Sequence, residues 1–120
     1  MASAEVPGVA PVDAARLVSE GKALLVDVRE SSEWTESGVA APALLLAKSD
    51  FDGARKDWAP FLESVGDRQV ILYCRSGRRS STVAEALAKM GINVANAGGF
   101  AAWKAAGLPI RTAGEPPAAK

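Results

Sequence analysis

The chain has 120 residues, which suffices for one domain but not for two. Fourteen basic residues balance fourteen acidic ones, so the net charge gives no general reason to expect a nucleic acid or an anionic membrane as partner. With no histidine and one cysteine, the sequence excludes histidine-dependent triads, intramolecular disulfides and the usual zinc sites, and we expect no metal ion and no cofactor.

The sequence carries no recognisable targeting or membrane segment. Its first ten residues lack the basic and apolar regions of a signal peptide, and no apolar run approaches the length of a transmembrane helix. We therefore expect a cytoplasmic protein without a membrane partner, unless a signal peptide has been removed. A domain of this size buries roughly 65% of the surface that its unfolded chain exposes, so a core without disulfides is expected to suffice.

The N-terminal half alternates helical periodicity with short apolar runs of strand length. The largely apolar run at 23–28 is typical of a strand that is buried on both faces. In order, this half predicts a helix at 11–20 ended by Gly21, the strand at 23–28, a short helix capped by Ser31 or Ser32, a weak strand and turn at 39–47, and a helix at 51–65 that Pro60 splits or kinks.

The C-terminal half contains the clearest helix, at 78–90, where Val83, Leu87 and Met90 form one apolar stripe. In order, this half predicts a strand at 70–73 that ends at Cys74, the helix at 78–90 with Gly91 as its C-cap, a short strand at 92–95, a turn at Gly98 and Gly99, and a last helix at 100–106. The strand before Cys74 and the helix after it place this residue at a strand-to-helix turn.

Strands that alternate with helices predict an α/β fold, with a central, mostly parallel sheet flanked by helices on both faces. We expect one domain at 9–110, an N-terminal segment at 1–8 and a flexible Pro/Ala-rich tail at 111–120. Ligands of such sheets bind beyond the carboxyl ends of the strands. Cys74 lies at such an end, which makes it the first candidate for a reactive group.

The residues after Cys74 have the character of an anion-binding turn. Gly77 can adopt a positive φ and so allow a tight turn into the helix. Such a turn points several backbone N–H groups at one place, and the helix N-terminus with nearby arginines favours the thiolate form of a cysteine. The alternative is that Cys74 is a small buried apolar residue and that the arginines form a solvated face.

Two arginines, Arg78 and Arg79, fall in the first turn of the predicted helix. Cations at this end oppose the helix dipole by about 0.3–1 kcal/mol each, so a sequence selected for stability alone favours acidic residues there. The pair indicates that an anion occupies the turn, such as a thiolate, a persulfide or an oxyanion substrate.

Sulfur transfer is a reaction that a lone thiolate can carry out without histidine. The thiolate attacks the outer sulfur of a donor such as thiosulfate, and sulfite leaves without needing a proton. The resulting persulfide then passes its outer sulfur to a thiophilic acceptor, either cyanide or a thiol. Only a lowered thiol pKa and recognition of the anion are needed.

Three stretches of the sequence resemble the rhodanese family in its single-domain form, over roughly 9–110. The resemblance implies a thiosulfate sulfurtransferase with a five-stranded central sheet, acting on a small sulfur donor and a thiol or cyanide acceptor. Many relatives carry a histidine-containing Gly-His-Ile-Pro-Gly-Ala-like stretch after the first signature, and here 37–42 replaces it without histidine. The three stretches are Leu25–Arg29 followed by Glu33 and Trp34, the loop at 74–80, and Gly98-Gly99-Phe100 with Trp103, Gly107, Leu108 and Pro109.

The resemblance also implies roles for individual residues. Cys74 is then the catalytic residue that becomes persulfidated, and the aromatic residues Trp34, Phe100 and Trp103 belong to the core. The implied substrate-binding residues are Arg75, Ser76, Gly77, Arg78 and Arg79. The implied supporting residues are Asp27, Arg29 and Ser80, and for Asp27 and Arg29 a structural ion pair is the favoured interpretation.

Two other functions remain open from the sequence. A cysteine-dependent phosphatase or arsenate reductase needs cysteine and arginine separated by five residues, but Ser80 occupies that position here, and the arginine stands at 79. The other is a persulfide carrier or interaction module in a thiolation pathway, which exchanges sulfur with a protein donor or acceptor. Loop size disfavours the phosphatase, because it determines which oxyanion the donors can reach.

Overall fold

The structure is a computed structural model that describes residues 6–115. Six helices and six strands lie within that range, and most of them match the predicted elements. The helices are α1 (Pro11–Ser19), α2 (Ser31–Ser37), α3 (Lys48–Asp52), α4 (Trp58–Ser64), α5 (Arg78–Lys89) and α6 (Phe100–Ala105). The strands are β1 (Ala23–Asp27), β2 (Val39–Ala40), β3 (Leu44–Leu45), β4 (Gln69–Cys74), β5 (Val94–Gly99) and β6 (Ile110–Arg111).

Four of the strands form one parallel sheet in the order β3-β1-β4-β5, and β2 pairs with β6 in a separate antiparallel pair. The predicted α/β architecture with a central parallel sheet is confirmed. The sheet has one strand fewer than the five that the family resemblance implies, and beyond β5 it holds only a single bridge, between Gly8 and Asn96. The predicted segment at 39–47 divides into two short strands. Its first part pairs with the end of the domain as β2, and only its second part joins the sheet as β3.

Side chains alternate between the two faces of the sheet and build two cores, one on each face. One core packs β1 and β4 against α3, α4 and α5, and it includes Trp58, Val83 and Leu87. The other packs the opposite faces of the strands against α1 and α6, and it includes Tyr73 and Trp103. Burial on both faces explains why β1 and β4 are largely apolar in sequence.

The helix predicted at 51–65 is two helices, and Pro60 does not separate them. The helix is interrupted between Asp52 and Trp58, where Arg55 adopts a φ of 56°. The carboxylate of Asp50 accepts hydrogen bonds from the backbone N–H groups of residues 56, 57 and 58 and so satisfies the start of α4. Pro60 lies in the first turn of α4, where a backbone N–H would have no helical partner.

The ends of other elements also depart from the predictions. Met90 follows the last residue of α5 and is 52% exposed, so it does not belong to the buried stripe. Strand β5 continues to Gly99, so Gly98 and Gly99 belong to a strand rather than to a turn. No helix among residues 6–115 is long and apolar enough to cross a membrane.

The predicted terminal segments are only partly within the described range, since 1–5 and 116–120 lie outside it. Gly8 forms a parallel bridge with Asn96 on β5, and two backbone hydrogen bonds flank it. Arg111, placed in the tail by prediction, pairs with Val39 and donates side-chain hydrogen bonds to the carbonyls of Ala41 and Ala43. The domain limits themselves stay a prediction.

A buried ion pair lies at the carboxyl end of β1. Asp27 is fully buried and Arg29 is 3% exposed, and their side chains approach to 2.8 Å. Arg29 also donates to the Ser37 hydroxyl at 2.8 Å and to the Gly38 carbonyl at 2.7 Å, so it connects β1 to the end of α2. Removing one partner of such a pair leaves the other charge buried and uncompensated.

We expect Asp27→Asn to lower the free energy of unfolding by about 3–5 kcal/mol, because Arg29 loses its buried counter-ion. Equilibrium urea denaturation measures this loss. The matched control is Asp13→Asn, whose carboxylate is more than half exposed and 3.6 Å from Arg16. It should change stability by no more than about 0.5 kcal/mol. Equal effects of the two variants would contradict a structural role for the buried pair.

Candidate active site

Cys74 ends β4 and is 1% exposed, and the loop that follows it enters α5 at Gly77. Gly77 adopts a φ of 95°, as the tight turn requires, and a Cβ there would lie 3.2 Å from the Cα of Gly98. Cys74 is also in register with Gly99, where a Cβ would collide with the carbonyl oxygen of Arg75. The two glycines of β5 therefore let the loop lie directly against the sheet edge.

The sulfur of Cys74 accepts hydrogen bonds from the elements around it. The Gly77 backbone N–H donates to Sγ at 3.0 Å, and the Ser80 hydroxyl lies 3.5 Å from it. Burial of the thiol opposes its ionisation, but hydrogen bonds from the Ser80 hydroxyl and the backbone N–H groups of Ser80, Ser76 and Gly77 outweigh burial, so the pKa of Cys74 lies below its ordinary value. The loop therefore favours the thiolate, as predicted from the sequence.

A polar network behind the loop holds the Ser80 side chain, whose single hydroxyl proton has Cys74 Sγ, Asn96 Oδ1 and the Gly77 carbonyl within reach. The hydroxyl lies 2.8 Å from Asn96 Oδ1 and 3.2 Å from the Gly77 carbonyl, and the Asn96 amide donates to that same carbonyl at 3.0 Å. Asn96 Oδ1 also accepts from the Gly98 N–H at 2.9 Å. Asn96 was not predicted from the sequence, because the predicted strand ends at residue 95, whereas β5 continues through Asn96 to Gly99.

Arg79 is held by an internal carboxylate rather than left free for an external anion. Its guanidinium forms a bidentate ion pair with Glu33 of α2, with N–O distances of 2.7 and 2.8 Å. The hydrogen bonds from Arg79 lower the pKa of Glu33 to about 2, against partial burial. The counter-ion of Arg79 is thus Glu33, a carboxylate of the protein that the sequence analysis did not foresee, rather than the thiolate, persulfide or oxyanion that was predicted for the turn.

Glu33 is placed by the start of α2. The cap of this helix is Glu30 rather than Ser31 or Ser32, since its side chain accepts from the Glu33 N–H while the Glu33 carboxylate accepts from the Glu30 N–H. The spacing Glu30-x-x-Glu33 was the available sequence signal. Glu33 therefore both caps its own helix and pairs with the loop.

The other predicted site residues are either exposed on the loop or buried beneath and behind it. Arg75, Ser76 and Arg78 are exposed on the loop, whereas Ser80 is fully buried beneath it. Asp27 makes the buried ion pair and lies behind the site. Arg29 reaches a cavity beside the loop, with its guanidinium carbon 4.4 Å from the centroid of the Phe100 ring.

The cavity beside the loop has a volume of about 340 Å³. Its walls come from the segment just after β1, from α2, from the residue after Cys74, and from α6. Phe100 and Trp103 lie in the core, as predicted, whereas Trp34 does not, since it is half-buried on α2, a helix without buried residues. Phe100 also lines this cavity. Within 6–115, no group of three or more Cys, Asp and Glu side chains could hold a metal ion. The lining includes Arg29, Glu33, Glu36, Arg75, Phe100 and Lys104.

Comparisons with known proteins agree on one family. The family model described as rhodanese-like domain matches residues 10–106. Thiosulfate sulfurtransferase GlpE of Actinobacillus succinogenes is 31% identical to the chain over 108 residues, which are 88% of this chain and 90% of that protein.

Solved structures show the same fold. A protein of unknown function from Rhodopseudomonas palustris, described as a possible tyrosine phosphatase, superposes with a TM-score of 0.72 at 25% identity, over 88% of this chain and 85% of that one. The thiosulfate sulfurtransferase of Pseudomonas aeruginosa superposes with a TM-score of 0.70 at 22% identity, over 92% of this chain and 20% of that one. The second likeness concerns the fold alone.

We expect Ser80→Ala to raise the pKa of Cys74 toward its ordinary value, because a hydrogen bond to the thiolate is lost. The measurement is the rate of alkylation by iodoacetamide against pH, followed by intact mass. The inflection should move to higher pH in Ser80→Ala and stay in place in Ser81→Ala, a neighbouring serine whose side chain makes no hydrogen bond within 6–115. An unchanged inflection in Ser80→Ala would show that the hydroxyl does not stabilise the thiolate.

We expect Glu33→Gln to lower the free energy of unfolding at pH 7 by about 1 kcal/mol, since it breaks a partly exposed ion pair. The pKa of Glu33 is lowered from 4.5 to about 2, so its contribution is complete above 4.5 and is lost as pH falls toward 2. Urea denaturation across this range, with the exposed Glu63→Gln as control, measures the difference. A difference that persists unchanged at pH 2 would contradict this assignment.

Proposed function

The chain belongs to the rhodanese-like domain family, and from this premise we propose that it is a sulfurtransferase that works through a persulfide on Cys74. The sulfur donor is thiosulfate or a similar small sulfane-sulfur compound, and the acceptor is a thiol or cyanide. The observation that carries the proposal is the hydrogen-bonded, buried thiol at the end of β4, whose pKa is lowered by N–H and hydroxyl donors. The thiosulfate sulfurtransferase name of the 31% identical relative supports the choice of donor.

In the first half-reaction, the Cys74 thiolate attacks the outer sulfur of thiosulfate. A new S–S bond forms, the bond between the outer sulfur and the sulfite sulfur breaks, and sulfite leaves with the bonding electron pair. No proton has to move, so the absence of histidine from the chain is no obstacle. The backbone N–H groups of 75–79 are the proposed cradle for the added sulfur, and the exposed Arg75 and Arg78 attract the dianion.

In this proposal Arg79 acts by holding the loop rather than by binding the donor directly. Its guanidinium already has both terminal nitrogens on the Glu33 carboxylate. A bidentate pair of this kind fixes the first turn of α5, directly after Gly77, whose N–H donates to Cys74. Asp27, Arg29 and Ser80 support the same geometry from behind.

Phosphatase activity is the nearest alternative, and one structural neighbour is described as a possible tyrosine phosphatase. The loop disfavours it here, because the residue separated from Cys74 by five intervening residues is Ser80, whose buried hydroxyl contacts Asn96 and the thiol. A guanidinium at that position would be needed to bind the phosphoryl oxygens. Hydrolysis of p-nitrophenyl phosphate that Cys74→Ser abolishes would favour the phosphatase.

A persulfide carrier is the milder alternative, in which a protein partner delivers or receives the sulfur. The two versions share the Cys74 persulfide and differ in the donor that loads it. Loading by a cysteine desulfurase but not by free thiosulfate would favour the carrier.

We expect wild-type protein to gain the mass of one sulfur atom after incubation with thiosulfate and to lose it on addition of cyanide. Cys74→Ser should gain nothing, because a hydroxyl at this position is neither ionised nor thiophilic. Intact-mass spectrometry measures both steps, and circular dichroism checks that the variant is folded. Sulfur gained by Cys74→Ser, or turnover retained in that variant, would remove Cys74 from the reaction.

A further inference from the structure

The cavity beside the loop lies next to the proposed reaction centre. Arg75, which follows Cys74, and Phe100, which follows Gly99, both line it. Cys74 and Gly99 are themselves in register across β4 and β5. The cavity therefore begins one residue beyond the paired strand ends, at the edge where ligands of parallel sheets bind.

Charged groups dominate the wall of this cavity, but two of them are already neutralised. Arg29 has its counter-ion in Asp27, at 2.8 Å, and Glu33 has its counter-ion in Arg79, at 2.7 Å. The three other charged residues of the lining, Glu36, Arg75 and Lys104, take part in no ion pair among residues 6–115. All three are exposed at the cavity.

The surplus of this remaining set is positive, with two cations and one carboxylate. Lys104 lies one helical turn after Phe100, with Nζ 5.4 Å from the centroid of that ring, so an apolar surface with a cation above it forms one side of the cavity. Arg75 supplies the second cation from the loop itself. Such a wall attracts a small molecule with an apolar stem and an anionic end.

Resting on the proposed sulfurtransferase function, we propose that this cavity receives the sulfur acceptor, and that Lys104 and Arg75 select small thiols carrying a carboxylate over neutral or cationic thiols. Lys104 is then a specificity-determining residue for the second half-reaction. The carboxylate lies toward the cations, and the thiol points toward Cys74.

The step at the thiol balances without an external oxidant or reductant. The acceptor thiol gives its proton to the Cys74 persulfide anion that the first half-reaction leaves, and the resulting acceptor thiolate attacks the outer sulfur and forms a new S–S bond. The bond between that sulfur and Cys74 Sγ breaks, Cys74 leaves as the thiolate with the bonding pair, and the proton stays on the transferred sulfur. The lowered pKa of Cys74 makes its thiolate a good leaving group.

The experiment measures discharge of Cys74 persulfide that has been loaded with thiosulfate and desalted, so donor binding does not enter the rate. Three primary thiols of different charge serve as acceptors: 3-mercaptopropionate, 2-mercaptoethanol and cysteamine. For each acceptor, the rate constant of a variant is divided by that of the wild type, which cancels the intrinsic reactivity of the thiol. The variants are Lys104→Gln and Lys104→Glu, and the control is Lys89→Gln, which removes an exposed lysine at the end of α5.

We expect Lys104→Gln to slow discharge by 3-mercaptopropionate about threefold and to leave 2-mercaptoethanol unchanged, as for loss of one exposed charge contact. Lys104→Glu should slow the anionic thiol further and accelerate cysteamine. Both effects should shrink in 0.5 M salt, because salt at this concentration screens the attraction between exposed charges that lie more than a few ångströms apart. Lys89→Gln should leave all three ratios near unity.

Two results would overturn the proposal, and they are distinguishable. Persulfide that forms normally, but whose discharge by the three thiols changes equally or not at all in the Lys104 variants, overturns the acceptor assignment alone. Wild-type protein that forms no persulfide with either thiosulfate or a cysteine desulfurase as donor overturns the proposed function and the acceptor assignment with it. A uniform change in all three ratios would also indicate that Lys104 acts on the structure of α6 rather than on the acceptor.

Discussion

The buried Asp27–Arg29 pair is the constraint on which the rest of the site depends. It stands at the carboxyl end of β1, where the parallel sheet exposes its ligand-binding edge. Arg29 also donates hydrogen bonds to the Ser37 hydroxyl and the Gly38 carbonyl at the end of α2, and its guanidinium packs on the face of Phe100. Because α2 carries Glu33, this contact also positions the carboxylate that holds Arg79 on the loop. A buried ion pair costs desolvation energy, and here its arginine connects β1 to α2, a helix with no buried residue of its own.

Acidification of the thiol depends on a close approach of backbone to backbone. The N–H groups can converge on Cys74 only where the loop lies against β5, and the missing side chains of Gly77 and Gly99 permit this approach. Asn96 then connects the two segments, since its amide group contacts both the Gly77 carbonyl and the Ser80 hydroxyl. The site thus lowers the pKa of a buried group with fixed dipoles, in a place where a full positive charge would have to be buried as well.

The sequence predicted the α/β architecture and the position of Cys74 well, because both depend on local signals. Apolar runs of strand length and a glycine-containing turn before an amphipathic helix need no knowledge of distant contacts. The Asp50 carboxylate that starts α4 and the Glu33–Arg79 pair were not predicted, since each joins residues whose proximity appears only after folding. The segment at 39–47 has short strands around a turn, as predicted, but its pairing was not predictable for the same reason: its first part pairs with residues 110 and 111, at the far end of the domain.

The three arginines of the loop do not contribute equally to its positive field. Arg79 is neutralised by Glu33, so it contributes rigidity and little net field. Arg75 faces the cavity with Lys104, and Arg78 is exposed in the first turn of α5, where it opposes the helix dipole without an ion pair among residues 6–115. A stability-driven sequence would not keep a cation at Arg78, whereas a loop that attracts dianionic donors gains from a positive field there. Arg79 therefore stabilises the geometry of the loop, whereas Arg75 and Arg78 are the arginines whose charge is left to act on a ligand.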